Sequence, residues 1–218
     1  MDITRRTFTL GGGVALAAGL AGCVSSTGTP LSFQPVPQLG TPEKERFDVP
    51  DVDMSKIDRQ FHRQRVAYRS RLDPGTILVD TDNKFLFLIG SDDTAIRYGI
   101  GVGREGMEWG GTAKIGRKAE WPRWTPTAEM IGRDPSLKKW ADGMEPGPNN
   151  PLGARALYLY QGRVDTLYRL HGTNEPWSIG KAMSSGCIRI LNKDVIELYE
   201  RVPVGTEVVV VHDGSLVA

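Results

Sequence analysis

The chain has 218 residues, 27 basic and 26 acidic, for a net charge of +1 with histidine neutral. That balance argues against a nucleic-acid partner, which would need a basic face. With 39% apolar residues, 26 glycines and 14 prolines, the composition suits one turn-rich globular domain long enough to bury a core.

The N-terminus carries Thr4-Arg5-Arg6-Thr7-Phe8, a twin-arginine pattern, followed by an apolar Gly/Ala-rich run from Leu10 to Leu20. This run is too short and too weakly apolar for a stable membrane span, and it reads as an export signal. It closes on Leu20-Ala21-Gly22-Cys23, which resembles the bacterial lipoprotein box, with cleavage after Gly22 and a lipid on Cys23. The alternative is an ordinary small-residue cleavage site. Removing residues 1–22 takes out Asp2, Arg5 and Arg6, leaving a mature chain near 196 residues with 25 charges of each sign. The expected location is the periplasm or cell envelope, lipid-anchored; Val24 rather than an aspartate after Cys23 favours the outer membrane in a Gram-negative cell.

Residues 23–62 hold Ser25-Ser26-Thr27-Gly28-Thr29-Pro30 and then Pro35, Pro37, Pro42 and Pro50, with no sustained apolar period. A flexible tether is expected there, followed by one catalytic domain over 63–218. From about Val66 the pattern becomes β. Thr76–Asp80, Lys84–Ile89 and Ala95–Ile100 are β-branched and aromatic runs separated by Asp82-Asn83 and Ser91-Asp92-Asp93, a hairpin meander. Gly101-Val102-Gly103-Arg104-Glu105-Gly106 spells G-x-G-x-x-G, but Met107-Glu108-Trp109-Gly110-Gly111 is a poor helix start and no βαβ pattern surrounds it. A glycine-rich hairpin loop is expected instead of a dinucleotide site. Further strands are expected at Ala156–Tyr160, Thr166–Leu170 and Glu207–Val211, with another beginning at Cys187–Ile190. One helix is expected, with Asn192 as N-cap, Asp194 in the first turn, Val195, Ile196, Leu198, Tyr199 and Val202 on one face, and Pro203 as its stop.

The chemistry concentrates between His171 and Arg189. With Cys23 assigned to the signal, Cys187 is the free thiol. A free cysteine at neutral pH is only a few per cent thiolate, and the thiolate is the attacking species. His171 is the natural base: His62 lies among polar residues and His212 beside Asp213-Gly214, so both read as solvated surface side chains, and no metal-ligand spacing occurs. A hydrogen-bonded imidazole would stabilise the thiolate as an ion pair and return the proton to a leaving amine. Neighbouring strands ending at His171 and starting at Cys187 would bring the two into reach. Gly186 permits close approach of substrate to backbone, and the N–H groups of Gly186 and Cys187 would stabilise an oxyanion, aided by the hydroxyl of Ser184 or Ser185. Arg189 shares a strand face with Cys187 and could hold a substrate carboxylate, the alternative being a surface ion pair. Trp177 would wall the cleft, with Thr173 and Asn174 on the same loop as further substrate contacts.

His171-Gly172, the loop after it, and Ser184-Ser185-Gly186-Cys187-Ile188-Arg189 with Asn192 beyond resemble the signature of the L,D-transpeptidase catalytic domain, the YkuD family, over roughly residues 66–212. The resemblance implies a mainly β fold, a β-sandwich or barrel with few helices and one C-terminal helix packed on the sheet. It implies a cysteine enzyme that attacks a tetrapeptide stem of peptidoglycan before the terminal D-alanine, without a cofactor. The acyl group passes to the third-residue amine of a neighbouring stem, a 3→3 cross-link, and carbapenems acylate the same thiol. By motif position Cys187 is the nucleophile, His171 the base, the Gly172 carbonyl an orienting acceptor, and Gly186 with Cys187 the oxyanion donors. Ser185 stands where many members carry a second histidine, which bears on acceptor choice and rate. Two alternatives stay open: the acyl-enzyme resolved by water or a protein lysine, and a non-catalytic wall-binding lipoprotein. The expected partners are stem peptides and a membrane reached through Cys23, with the chain acting as a monomer.

Overall fold

A computed structural model describes residues 45–104, 108–183 and 187–212. The described residues form nine strands: β1 (Gln64–Ala67), β2 (Ile77–Asp80), β3 (Phe85–Ile89), β4 (Thr94–Val102), β5 (Gly111–Glu120), β6 (Arg155–Gln161), β7 (Val164–His171), β8 (Ile188–Ile190) and β9 (Glu207–Val211). Their helices are α1 (Ala128–Arg133), α2 (Asn192–Arg201) and short 3-10 turns.

The expected meander is present. β2 and β3 pair antiparallel from Ile77↔Leu88 to Asp80↔Phe85, and β3 pairs with β4 from Phe85↔Gly99 to Ile89↔Ala95. The Asp82-Asn83 turn closes because the Asp80 carboxylate accepts from the Asn83 backbone at 3.0 Å and from its side-chain amide at 2.7 Å.

The strands run in the order β4-β3-β2-β9-β5-β6-β7-β8, and β8 returns to β4 through Ile100↔Ile190 and Val102↔Ile188. That last pairing closes a mixed barrel, in which β2–β9 and β7–β8 are parallel. β1 takes the other half of the same β4 edge, Gln64↔Arg97 to Ala67↔Thr94. Closure leaves no long unpaired edge. Period-2 alternation then fills the interior: Ile77, Val79, Leu86, Tyr98, Ile100, Ile115, Leu157, Leu170 and Ile188 form one buried cluster, joined by Val195 and Leu198 of α2 and by Val202 just after it. The opposite faces of β2, β3 and β9 bury Leu78, Phe87 and Val209 in a second cluster. Each such aliphatic side chain, taken fully out of water, contributes about 1.5–3 kcal/mol.

Several sequence expectations shift. β5 is a ten-residue strand that escapes a hydrophobic reading because Gly, Lys and Arg occupy its outward positions, while Ala113 and Ile115 face the core. The 34 residues between β5 and β6 contain α1 and a 3-10 turn, Pro135–Trp140, pinned by Asn150, whose amide donates to the carbonyls of Pro122 and Glu145 at 3.1 Å each. Helix α2 stops at Val202 before Pro203, as its pattern dictates, but Leu191 occupies the N-cap position without a side-chain cap. Asn192 is inside the helix, and its amide is used elsewhere. Gly101 lies within β4, where an added Cβ would stand 2.6 Å from the Ser178 carbonyl oxygen. The first glycine of the G-x-G-x-x-G sequence therefore serves close packing; Glu105–Met107 lie outside the described residues.

Residues 45–62 depart from the tether expected over 23–62. Residues 45–62 pack on the barrel: Glu45 pairs with Arg155 at 2.6 Å and accepts from the Trp121 indole at 2.7 Å, Phe47 meets the Trp121 ring edge-on, and Ile57 is buried beside Ile179 and Leu191. These anchors are isolated in sequence, so they produce no apolar period, yet each finds a preformed slot. Residues 1–44, on which the expected signal and the lipidation of Cys23 fall, lie outside the described residues.

Candidate active site

His171 is the last residue of β7, and Cys187 immediately precedes β8. The two strands are parallel neighbours in the register Leu170↔Ile188 and His171↔Arg189. Cys187 and Arg189, two apart, share a face with the residue opposite Arg189, which is His171. The parallel pairing thus brings His171 and Cys187, sixteen residues apart in sequence, to neighbouring strands.

The His171 ring is 4% exposed, and its Nδ1 lies 2.6 Å from the Gly172 carbonyl oxygen. A carbonyl only accepts, so Nδ1 carries the hydrogen and the lone pair sits on Nε2. Burial pushes its pKa down to about 4; the Gly172 hydrogen bond opposes this, and the charges of Arg189 and Arg169 add to the fall. The ring is therefore neutral at pH 7 and competent to take a proton. Cys187 is half-buried, in no disulfide, and donates from Sγ to the Leu167 carbonyl at 3.7 Å.

Gly172 is held by a polar staple that the sequence reading assigned to helix capping. The Asn192 side chain accepts from the backbone N–H of Ala154 at 3.0 Å and of Thr173 at 3.2 Å, and donates to the Thr173 carbonyl at 2.9 Å. It fits because Gly153 and Gly172 lack side chains: a Cβ on either would come within 2.2 Å of the Asn192 oxygen. Asn192 thereby ties the start of β6, the segment leaving His171 and the start of α2 at one point.

The loop residues divide. Thr173 is buried, and its hydroxyl accepts from the Glu175 N–H at 2.9 Å, so it shapes the loop rather than facing substrate. Arg189 is 9% exposed and donates to the Glu175 carboxylate at 2.6 Å, a pair that lies largely below the surface. Asn174 is exposed and donates to the Asn149 carbonyl at 3.0 Å, linking the loop to the β5–β6 connection. Trp177 is 54% exposed, with the Lys181 ammonium 5.4 Å from its ring centre, and stays available to a ligand. Ser184, Ser185 and Gly186 lie outside the described residues. His62 and His212 are not merely solvated: His62 donates from Nε2 to the Met54 and Ile57 carbonyls at 3.2 and 3.0 Å, and His212 Nδ1 lies 2.7 Å from the Thr81 hydroxyl. Among the described residues no group of three His, Cys, Asp or Glu is placed to hold a metal.

Residues 74–210 match the family model YkuD, described as the L,D-transpeptidase catalytic domain. The chain belongs to this family. Its relatives include "Putative L,D-transpeptidase in ATP synthase subunits region ORF 5" of Fuscovulum blasticum, 33% identical over 94% of this chain and 100% of that protein. "Probable L,D-transpeptidase YbiS" of Escherichia coli K12 is 35% identical over 66% of this chain but only 47% of its own length, so the chain spans about half of that relative. Among solved structures, "Probable carnitine operon oxidoreductase caia" from Brucella melitensis is 51% identical, covers 73% of this chain and 99% of that one, and has a TM-score of 0.51. Its name belongs to a different reaction class; in the present chain the glycines that would suggest a dinucleotide turn begin inside β4.

Within this L,D-transpeptidase domain, sequence reasoning located His171, Gly172, Cys187 and Arg189 but missed the work of Asn192 and Glu175. The G-x-x-x-x-x-N spacing of Gly186 to Asn192 carries no contact information, and only the approach of Gly153 and Gly172 shows why an amide is needed there. The packed residues 45–62 stand outside the matched 74–210, yet Ile57 and Met54 brace Ile179 and Leu191 on either side of the nucleophile.

Proposed function

We propose that this chain is a peptidoglycan L,D-transpeptidase working through a Cys187 acyl-enzyme. The observation that carries the reading is the neutral, Nδ1-tethered His171 on the strand beside the one that Cys187 immediately precedes. His171 Nε2 takes the thiol proton as sulfur attacks the carbonyl of the third stem residue; the proton then passes to the departing D-alanine amine. A thioester remains. The third-residue amine of a second stem attacks it, loses its proton to Nε2 and releases the thiol, forming a 3→3 cross-link. The oxyanion of each tetrahedral intermediate falls to the N–H groups of Gly186 and Cys187 by motif position.

The neutral imidazole supports a general-base mechanism in place of the preformed thiolate–imidazolium pair that the sequence suggested. Burial opposes any charge on this ring, and two nearby guanidiniums add to that cost. Arg189 and Glu175 form a fixed pair beside the thiol, so a substrate carboxylate would share Arg189 rather than meet a vacant guanidinium.

The twin-arginine segment and the box ending at Cys23 support export and lipid anchoring in the cell envelope, with residues 24–44 as the remaining tether. Cys187→Ala is expected to abolish the covalent mass adduct with a carbapenem; an adduct of wild-type yield excludes this nucleophile. Mass spectrometry of muropeptides after incubation with tetrapeptide-bearing peptidoglycan is expected to show cross-linked dimers, whereas tripeptides alone would mark hydrolysis. Cys23→Ala is expected to free the protein from membranes, and persistent attachment would refute the lipid.

A further inference from the structure

β7 is interrupted four residues before His171. Tyr158 pairs with Arg169 but Tyr160 pairs with Asp165, so Thr166, Leu167 and Tyr168 together oppose Leu159 alone. Leu167 takes φ +63 in the left-handed region, which a branched apolar side chain rarely adopts, and it is 70% exposed, so no burial of the side chain offsets the strain. The conformation is imposed by its neighbours. The Asp165 carboxylate accepts from the Leu167 N–H at 2.9 Å while gripping Arg169 at 2.7 and 2.9 Å. The Thr166 hydroxyl donates to the Leu159 carbonyl at 2.7 Å and accepts from the Tyr168 N–H at 3.2 Å. Bulges re-aim backbone and side chains at functional sites, and this one turns the Leu167 carbonyl onto the Cys187 sulfur at 3.7 Å.

We propose that the β7 bulge is a positioning device for the nucleophile: its Leu167 carbonyl holds the Cys187 thiol in the protonated, hydrogen-bonded form in the free protein. A carbonyl oxygen accepts from S–H and repels a thiolate, so it opposes ionisation until the sulfur turns away and yields its proton to His171 Nε2. The charged groups packed about the bulge are Asp165 and Arg169, bonded to each other, and Arg117 of β5, which shares the Tyr158 ring with Arg169; β8 adds Arg189, paired with Glu175, and the neutral His171 ends β7. None of them is residue 167 itself, so a change of that side chain adds or removes no charge. The proposal rests on the Cys187 reading, which the carbapenem adduct tests separately.

The test compares Leu167→Gly with Leu167→Ile in the full chain, reading the pH dependence of Cys187 alkylation by iodoacetamide through peptide mass spectrometry. Glycine accepts positive φ; isoleucine, β-branched, resists it and draws the carbonyl away. The Ile profile is expected to lie lower in pH than the Gly profile by about half a unit, roughly a threefold higher rate below the midpoint. Bulk effects act in the opposite sense, since a larger side chain desolvates a thiolate and raises its pKa. Thr166→Val, isosteric and uncharged, removes a separate pin and is expected to move the midpoint down as well, so a failure of the Ile variant to fold leaves the question decidable. Coincident midpoints for Gly and Ile, or for Thr166→Val and wild type, overturn the proposal.

Discussion

Replacing Asn192 by alanine removes three hydrogen bonds at once: those from the Ala154 and Thr173 N–H groups at 3.0 and 3.2 Å and that to the Thr173 carbonyl at 2.9 Å. The site is buried and closed by Gly153 and Gly172, so the orphaned groups gain little from bulk solvent. At about 1 kcal/mol for each bond, with about 1–2 kcal/mol for the void, the expected loss is about 4–5 kcal/mol. For a domain of this size that lowers the unfolding midpoint by roughly 10 °C. Urea unfolding followed by tryptophan fluorescence measures the loss. The staple also fixes the Gly172-Thr173 segment whose carbonyl orients His171, so carbapenem acylation of the still-folded variant is expected to slow as well. A stability loss below about 1 kcal/mol, with wild-type acylation, would mean that Asn192 does not hold the site together.

His171 links pH to stability and to rate. Its folded pKa of about 4 lies below the unfolded 6.5, so the native state favours the neutral ring; stability present above 6.5 is lost as pH falls toward 4, by an order of 3 kcal/mol. His171→Gln is expected to flatten that limb in urea titrations at stepped pH; an unaltered limb assigns it to other groups. The acid limb of carbapenem acylation is expected near 4, whereas a limb at 6.5 would mean a solvated ring. Glu45→Ala strands the 1%-exposed Arg155 side chain and the Trp121 indole and is expected to cost about 2–4 kcal/mol, read by thermal unfolding; a neutral result would detach residues 45–62 from the fold. Glu175→Gln weakens the hold on Arg189 and is expected to raise KM for a stem tetrapeptide more than it lowers kcat, since the freed guanidinium no longer sits in one geometry; an unchanged KM removes Arg189 from substrate contact.

What the amino-acid order determined by itself is local. β-branched and aromatic runs bounded by turn residues specified β2, β3, β4, β6 and β9, because such side chains pack on a pleated surface whatever the partner strand. The run ending at Pro203 specified α2, and the His171-Gly172 and Gly186-Cys187 motif specified the chemistry. β5 was illegible because its outward Lys and Arg and two glycines mask two inward apolar residues.

Tertiary structure alone decided which strands meet. Barrel closure joins β4 to β8 and sets β2 parallel to β9, pairings between segments about ninety to one hundred and thirty residues apart that leave no local trace. It decided that the Asn192 side chain, at the start of its helix, ties Ala154 to Thr173, that Arg189 pairs with Glu175, and that Phe47, Ile57 and Phe61 dock instead of trailing in a tether. It also decided that Leu167 bends backward to offer its carbonyl to the thiol. Each depends on a partner brought close in space, where burial makes an unmet polar group costly and a fitted one decisive, and chain order does not encode that proximity in any short window.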